Sequence, residues 1–338
     1  MTANKLNTIP RFLTNLFLIF FCIYPISFLL GNFAINLFLF IFNIIFFFGI
    51  LKKYFSYKIL NNYIFKLLIA LFLFFIINLF FSNNINLSYP RVLKFILIIG
   101  SILAFRALIY YCNNSDINKM YKMWSVIFLV VLLDIFFELI VGSNILGFKS
   151  IIPGRVSSFT GNEMNIGHFF SAFCLIFLSF KIFNYKNNFV SLIVAISLIA
   201  VSFLIGERSN FIRSLLIILI FVFLIKEIKF KYKLLSISAL IIIFITIINF
   251  NPNYKVRYFQ QFTEILTKKG LNYYLDNSIY GAHFEVAKKI FKENKTFGVG
   301  IKNFRVESYS DEHNINHKYN NRRGNTHPHQ VHYEFLSE

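Results

Sequence analysis

The chain has 338 residues, of which 57% are hydrophobic and only 14% are charged, and Phe alone occurs 47 times. A soluble domain of this size could not hide so much apolar surface, so the composition excludes one and indicates a protein that crosses a membrane several times. The net charge of +19 would favour a nucleic-acid partner in a soluble chain. Here the basic residues lie in short stretches between apolar segments, which indicates a membrane partner and no nucleic acid.

Nine apolar segments approach or reach the length needed to cross a hydrocarbon core of about 30 Å. The sequence therefore predicts an all-α polytopic membrane protein with about nine transmembrane helices. We divide it into a transmembrane bundle over residues 1–250 and a polar tail over residues 251–338. The predicted helices are 12–30, 33–51, 64–81, 92–111, 123–141, 166–183, 189–205, 209–225 and 234–250.

The basic residues predict the orientation, because short loops rich in Lys and Arg stay in the cytoplasm. Thirteen basic residues fall on the side of the N-terminus and four in the opposite short loops. We therefore expect a cytoplasmic N-terminus and an outer tail. The thirteen are Lys5, Arg11, Lys52, Lys53, Lys58, Lys119, Lys122, Lys181, Lys186, Lys226, Lys229, Lys231 and Lys233, and the four are Arg91, Lys149, Arg155 and Arg208.

Three arginines are placed against this charge bias. Arg155 lies in the outer loop 153–162, Arg208 in the tight outer turn 206–210, and Arg213 about one helical turn further along. Headgroup contact or snorkelling could explain any one of them. A tight turn and a helix interior leave Arg208 and Arg213 few ways to reach water, however, which favours a functional role.

Two carboxylates lie within the fifth apolar segment. Asp134 and Glu138 are four residues apart and so share a helix face. For Glu138 the sequence favours an ion pair with Lys94. Asp134 lies nearer the middle of the membrane, where a functional role and a hydrogen-bonded structural role are both open.

The tail contains an amphipathic pattern over residues 279–292, with Ile279, His283, Val286 and Ile290 on one face. It predicts a helix lying on the membrane or on the transmembrane bundle, with His283 in an apolar core. Residues 303–326 are rich in Asn, Ser and charge, which predicts a mobile loop, and residues 332–338 resemble the start of another helix.

Three of the seven histidines, His327, His329 and His332, fall within six residues near the end of the chain. His suits proton transfer near neutral pH, although a solvated loop explains such a cluster equally well. Pro328 should present His327 and His329 in different directions. A following helix would keep His329 neutral, so we predict His329 as general base, His327 as a residue that orients substrate, and His332 as a packing residue.

This series of features resembles the O-antigen ligase and polymerase superfamily over roughly residues 150–338. Members are glycosyltransferases of the bacterial inner membrane that take glycan from undecaprenyl diphosphate on its periplasmic face. The resemblance places the family's essential histidine at His329, followed by Gln330 where Asn is usual, and its phosphate-binding arginines at Arg155 and Arg208. The remaining predicted substrate-binding residues are Arg213, His327, Gln330 and Asn162.

The resemblance has two departures. The turn around Arg208 reads Glu-Arg-Ser-Asn in place of the usual Ser-Arg-Gly, and the chain ends where the family continues into further helices, so we expect a C-terminally truncated member. Arginines can stabilise a diphosphate leaving group without a metal. The sequence contains no convincing metal site. The group that comes closest to the spacing of metal ligands, residues 311–313, is expected to be solvated. We therefore predict a transferase that needs neither a metal nor a cofactor.

Three alternatives remain open at this point. A polymerase of the same superfamily would join lipid-linked repeat units, and no motif separates it from a ligase. A transporter or flippase of lipid-linked glycans would place its polar residues near the bilayer midplane, where this chain has essentially Asp134. A structural membrane anchor would not require arginines on the outer face.

Overall fold

The computed structural model describes residues 11–55, 61–163, 165–185, 188–225, 228–260, 267, 270, 272–328 and 331–338. All regular structure in these residues is helical, and they contain no strand. The first nine helices are α1 (Arg11–Leu30), α2 (Asn32–Leu51), α3 (Tyr63–Phe80), α4 (Ile85–Tyr111), α5 (Asn114–Val141), α6 (Ile166–Tyr185), α7 (Asn188–Leu204), α8 (Arg208–Leu224) and α9 (Phe230–Phe250).

Each predicted apolar segment lies on one of these helices. Six of the described helices, α1 to α5 and α9, are long and apolar enough to cross a membrane. The chain is therefore a multi-pass membrane protein with an all-helical fold. Shorter apolar runs occur in α6 and α7, over Ile166–Ser179 and Phe189–Leu204, and a total of nine crossings stays a prediction.

Helices α4 and α5 begin earlier than predicted, at Ile85 and Asn114 instead of residues 92 and 123. The first turns of both helices contain polar residues, Asn86 and Ser88 in α4 and Asn114 and Asp116 in α5, so the apolar run marks the stretch suited to a membrane and not the whole helix. At α5 the side chain of Asn113 supplies the N-cap, accepting a hydrogen bond of 2.8 Å from the backbone N–H of Asp116.

Contacts divide the chain into two compact units. The tail unit comprises Asn43–Ala107 and Thr263–Glu338, and the bundle unit comprises Ile9–Phe42 and Leu108–Phe262. In this division the second half of α2, helix α3 and most of α4 group with the tail. The predicted boundary at residue 250 stays a prediction.

In the bundle unit, large apolar side chains fill the spaces between α1, α5 and α6. Phe128 of α5 is fully buried and packs against Phe170 and Phe177 of α6. The indole N–H of Trp124 donates to the backbone carbonyl of Phe21 in α1 at 2.6 Å. This bond fixes α5 against α1 and satisfies a polar group that apolar surroundings would otherwise leave unpaired.

In the tail unit, helix α10 (Ile279–Glu293) confirms the predicted amphipathic helix almost residue for residue. Ser278 caps its start by accepting a hydrogen bond from the N–H of Gly281 at 3.0 Å. Its buried face packs against Val299 and Phe304, so its apolar partner is the tail's own core. The predicted final helix is also present, as α11 (Val331–Ser337).

Residues 303–326 fold into short helical turns at Phe304–Glu307, Asp311–His313 and Asn320–Arg322. The guanidinium of Arg323 is buried and donates to the carbonyls of Tyr309 and Ser310 at 3.2 and 2.8 Å. The prediction of a mobile loop missed this structure, because its hydrogen bonds join residues that are distant in sequence.

Within the tail unit, the stretch after α10 lies on the turn between α3 and α4. The backbone N–H of Asn83 donates to the carbonyl of Val299 at 3.0 Å. The amide of Asn303 donates to the hydroxyls of Ser82 and Ser88 at 2.6 and 3.0 Å. These bonds hold the stretch after α10 against the place where α3 ends and α4 begins.

Candidate functional site

The turn between α7 and α8 is held against the loop between α5 and α6. Gly206 has a φ of +79°, and a side chain there would collide with the backbone carbonyl of Gly154. Next to this contact, the N–H of Val156 donates to the carbonyl of Ile205 at 3.0 Å. The approach brings Arg155, in the loop, beside Glu207 and Arg208 in the turn.

Glu207 organises the centre of this region. Its side chain is 6% exposed, and its carboxylate lies 3.1 Å from the guanidinium of Arg155. The same carboxylate accepts hydrogen bonds from the backbone N–H of Gly167, at 3.0 Å, and from the amide of Asn210. One buried carboxylate thus joins the α5–α6 loop, the start of α6 and the start of α8.

A third arginine enters from the segment after α9. This segment begins with the helical turn Pro252–Tyr254 and continues as a π-helix, Lys255–Gln260. Arg257 donates from Nε to the carbonyl of Gly206. Burial lowers the pKa of Arg257, and the nearby positive charges of Arg155 and Arg208 lower it further. We call Arg155, Arg208 and Arg257 the arginine cluster.

Two tyrosines fix the π-helix on α7. The hydroxyls of Tyr254 and Tyr258 donate to the carbonyls of Leu204 and Phe203 at 2.6 and 2.9 Å. Burial raises the pKa of Tyr254 to about 12, so its hydroxyl stays protonated and remains a donor. The ring of Tyr258 also stacks on Phe203, with 4.1 Å between the centroids. Arg257 is therefore carried on a segment with several fixed contacts.

The loop that carries Arg155 is fixed by the two carboxylates of α5. Glu138 accepts hydrogen bonds from the N–H groups of Ser157 and Ser158 at 2.9 and 2.6 Å, and from the Ser157 hydroxyl at 2.9 Å. Asp134 accepts from the Ser158 hydroxyl at 2.6 Å. The sequence left the role of Asp134 open and favoured an ion pair for Glu138. Both carboxylates prove to be hydrogen-bond acceptors that position the Arg155 loop.

The charges at this site favour an anion. The positive charges of Arg155 and Arg208 both act on Arg257, the carboxylate of Glu207 pairs with Arg155, and Arg208 is the first residue of a 17-residue helix. Glu207 is the N-cap of α8 but makes no side-chain capping bond, so the positive end of the helix dipole adds to the field of the arginines. Planar guanidinium forks match the oxygens of phosphate groups. The arrangement can therefore hold a phosphate or a diphosphate.

Two further residues of the predicted site lie close to this cluster in sequence. Arg213 is exposed and donates to the side-chain carbonyl of Asn210 at 3.4 Å, which connects it to Glu207. Asn162 lies in the 3₁₀ segment Ser158–Glu163, and its side chain is outside the described part of the chain. The structure thus brings Arg155 and Arg208 together and joins Arg213 to them through Asn210.

Sequence reasoning missed Arg257, because it matches no motif and lies just beyond the last apolar segment. Its one available signal was position. It follows α9 by seven residues, and the alternation of the predicted helices puts it on the same side of the membrane as Arg155 and Arg208.

The tail unit brings two histidines together. His283 on α10 is buried, and its Nε2 lies 3.1 Å from the carbonyl of Arg322. Burial lowers the pKa of His283, and the charge of His327 lowers it further. The Nδ1 of His327 lies 3.0 Å from the hydroxyl of Thr326. His283 therefore has the buried, hydrogen-bonded position that the amphipathic pattern predicted.

The structure describes only part of the rest of the predicted histidine site. His329 and Gln330 lie outside the described residues. His332 is on α11 and is exposed, so the prediction that it packs is wrong. Helix α11 buries other residues, among them Ser337, and leaves His332 at its surface.

Residues 311–313 differ from the predicted solvated group. Asp311 and Glu312 are exposed, but His313 is buried, with its Nε2 3.2 Å from the carboxylate of Glu293. The structure places His313 against α10, which a count of polar residues does not reveal. Within the residues that the structure describes, no group of three or more His, Cys, Asp and Glu side chains is arranged to hold a metal ion.

Comparisons of this chain with protein-family models, with curated proteins and with solved structures found no match.

Proposed function

We propose that this protein is an O-antigen ligase-like glycosyltransferase of the bacterial inner membrane, which moves a glycan from undecaprenyl diphosphate to a lipid or sugar acceptor. The observation that carries the proposal is the arginine cluster, in which Arg155 pairs with Glu207 and Arg257 lies within the electrostatic reach of Arg155 and Arg208 at the α7–α8 turn. A membrane protein with such a cluster suits a substrate that joins a lipid to a diphosphate.

In the proposed reaction, the acceptor hydroxyl oxygen attacks the anomeric carbon of the donor glycan. A new carbon–oxygen bond forms as the bond from that carbon to the diphosphate oxygen breaks, and the bonding electrons remain on the diphosphate. Direct displacement inverts the anomeric centre. Arg155, Arg208 and Arg257 stabilise the charge that grows on the leaving diphosphate, a task for which preorganised donors are effective.

A general base takes the proton of the attacking hydroxyl, and we assign this role to His329. His327 orients the acceptor, and Gln330 and Asn162 contribute hydrogen bonds to substrate. Arg213 adds positive charge at the rim of the cluster, in keeping with its exposure and its bond to Asn210.

The proposed sidedness puts the N-terminus in the cytoplasm and residues 251–338 in the periplasm. It rests on the distribution of basic residues. Support comes from the bundle unit, where the α5–α6 loop, the α7–α8 turn and the segment after α9 meet through Arg155, Glu207 and Arg257. Chain stretches that the alternation assigns to one side of the membrane are thus in contact at one end of this unit.

The test is expression of the full-length gene in a bacterial mutant that lacks its surface-glycan ligase. Restored capping of the core lipid would support the ligase, and lengthened polymer would identify a polymerase with the same chemistry. The purified protein should also release undecaprenyl diphosphate from donor and acceptor in the presence of EDTA. Absence of all three activities from a folded, membrane-inserted protein would refute the proposal.

The base assignment has its own test. In the active protein, His329→Ala should lower the transfer rate by about a hundred- to ten-thousand-fold, the usual cost of losing a general base. His332→Ala is the matched control, since His332 is exposed on α11, and it should keep most of the rate. Activity that survives His329→Ala but is lost in His283→Ala would move the base to α10.

A further inference from the structure

A second concave site lies in the bundle unit, between the α1–α2 turn and the first turn of α6. It is a cavity of about 220 Å³, and its lining includes Phe28, Asn32, Asn165, His168 and Phe169. None of these residues belongs to the arginine cluster or to the predicted histidine site. The cavity is smaller than the roughly 300–1,000 Å³ typical of sites for drug-sized ligands, so it has room for one ring and not for an oligosaccharide.

The lining chemistry suits a sugar ring. Asn32, Asn165 and His168 are exposed and offer amide and imidazole groups, which can both donate hydrogen bonds to hydroxyls and accept them. The half-buried ring of Phe28 offers an apolar surface to the C–H face of a pyranose. None of the five lining residues named above carries a fixed charge, so the cavity selects for a neutral polar ligand.

Two series of polar contacts connect this cavity with the arginine cluster. Gly167, next to His168, donates its N–H to Glu207, which pairs with Arg155. On the other side, the N–H of Asn165 donates to the hydroxyl of Thr160 at 3.1 Å. That hydroxyl in turn donates to the carbonyl of Ser157 at 2.7 Å, two residues after Arg155. The cavity is therefore built on the same loop and turn as the cluster.

We propose that this cavity, which we call the His168 cavity, binds the sugar ring that is joined to the diphosphate of the donor. The identity of the occupant as a donor sugar rests on the proposed function, whereas the sugar site itself does not. Asn32 and His168 hold ring hydroxyls, while the neighbouring arginines hold the phosphate. The site thereby adds sugar selectivity to an anion site that has none of its own.

The experiment measures binding of small sugars to the full chain in detergent by saturation-transfer NMR. The probes are glucose, galactose and N-acetylglucosamine, each as the free sugar and as its 1-phosphate. The parent protein should bind at least one free sugar and should bind its 1-phosphate about tenfold more tightly, the gain expected from a charged hydrogen bond.

Four variants separate the two parts of the site. His168→Ala and Asn32→Ala should each weaken the free sugar and its 1-phosphate about equally, by about tenfold. Arg257→Ala should remove only the gain that the phosphate gives. His332→Ala, an exposed histidine outside both sites, should bind like the parent.

The outcomes distinguish this inference from the proposed function. The sugar site is refuted if the parent binds no free sugar, or if His168→Ala and Asn32→Ala bind as the parent does. Free-sugar binding that depends on His168, without any gain from the phosphate, would refute the donor assignment. Sugar binding with the predicted variant effects in a protein that transfers no glycan would uphold the cavity and refute the transferase.

Discussion

At the scale of single residues, the shape of the guanidinium group decides what the arginine cluster can do. A guanidinium offers two parallel N–H donors to one anion, while a Lys ammonium acts as a point charge. Arg208→Lys and Arg257→Lys should therefore each lower the rate of glycan transfer on the order of a hundredfold, as the loss of a preorganised donor does elsewhere. The measurement is the initial rate with purified protein at saturating donor.

The matched control is Arg91→Lys. Arg91 lies on α4 in the tail unit and outside the arginine cluster, so this change should leave the rate near that of the parent. Full activity in Arg208→Lys would show that Arg208 serves only as a surface charge, and its assignment to the site would have to be withdrawn.

His283 makes the stability of the tail unit depend on pH. Its pKa in the folded chain is lowered, chiefly by burial, while in the unfolded chain it is near the ordinary value of about 6.5. Between these two values the unfolded chain binds more protons, so stability falls as the pH drops below about 6.5. The thermal midpoint of the tail unit should therefore be lower at pH 5.5 than at pH 7.5.

His283→Gln should reduce this difference, because a Gln amide can donate to the carbonyl of Arg322 and does not titrate. His332→Gln should keep the pH dependence of the parent, since His332 is exposed. An unchanged dependence in His283→Gln would assign the effect to other groups.

At the scale of elements, the α7–α8 turn depends on the absence of a side chain at Gly206. Gly206→Ala adds a methyl group that meets the carbonyl of Gly154, and it also places Ala at a φ of +79°. Gly147 has a similar φ of +86° but has nothing within 4 Å of an added Cβ. Gly147→Ala should thus cost about 1 kcal/mol from backbone strain alone.

Gly206→Ala should cost more than Gly147→Ala, by about 1–3 kcal/mol for the overpacked contact, and it should also reduce glycan transfer. Thermal unfolding in detergent and the transfer assay measure the two effects. Equal thermal midpoints in the two variants would show that the turn can move away from Gly154. The close contact between Gly206 and Gly154 would then contribute nothing to stability.

How much of these elements could be predicted depends on how local their causes are. The apolar runs predicted a helix at each of nine positions, and the spacing of His283, Val286 and Ile290 predicted α10 within one residue. Both signals lie within one helix. The bonds from Ser157 and Ser158 to Glu138, and from Arg257 to Gly206, join separate elements. The periodicity of a sequence cannot predict contacts between separate elements. The position of Arg257 and the role of Glu138 could therefore be seen only in the structure.

At the scale of the whole molecule, the distribution of basic residues predicts where the tail lies. A reporter that is active only outside the cytoplasm, fused after Asn251, should be active. The thirteen basic residues on the side of the N-terminus favour keeping that side in the cytoplasm, which puts Asn251 outside. The same reporter fused after Lys53, in the predicted cytoplasmic turn, should be inactive. Reporter activity after Lys53 and none after Asn251 would show that the orientation is the reverse of the predicted one, with the arginine cluster in the cytoplasm.

The bond between the tail and α3 also has a consequence for biosynthesis. The amide of Asn78 donates to the carbonyl of Phe297 at 2.7 Å, across a separation of 219 residues. At a synthesis rate of about 5–20 residues per second, Asn78 leaves the ribosome roughly 10–45 s before its partner. During that interval α3 carries a polar side chain that finally becomes 96% buried, as its 4% exposure shows. A nascent chain arrested before Phe297 would thus leave this amide without that partner.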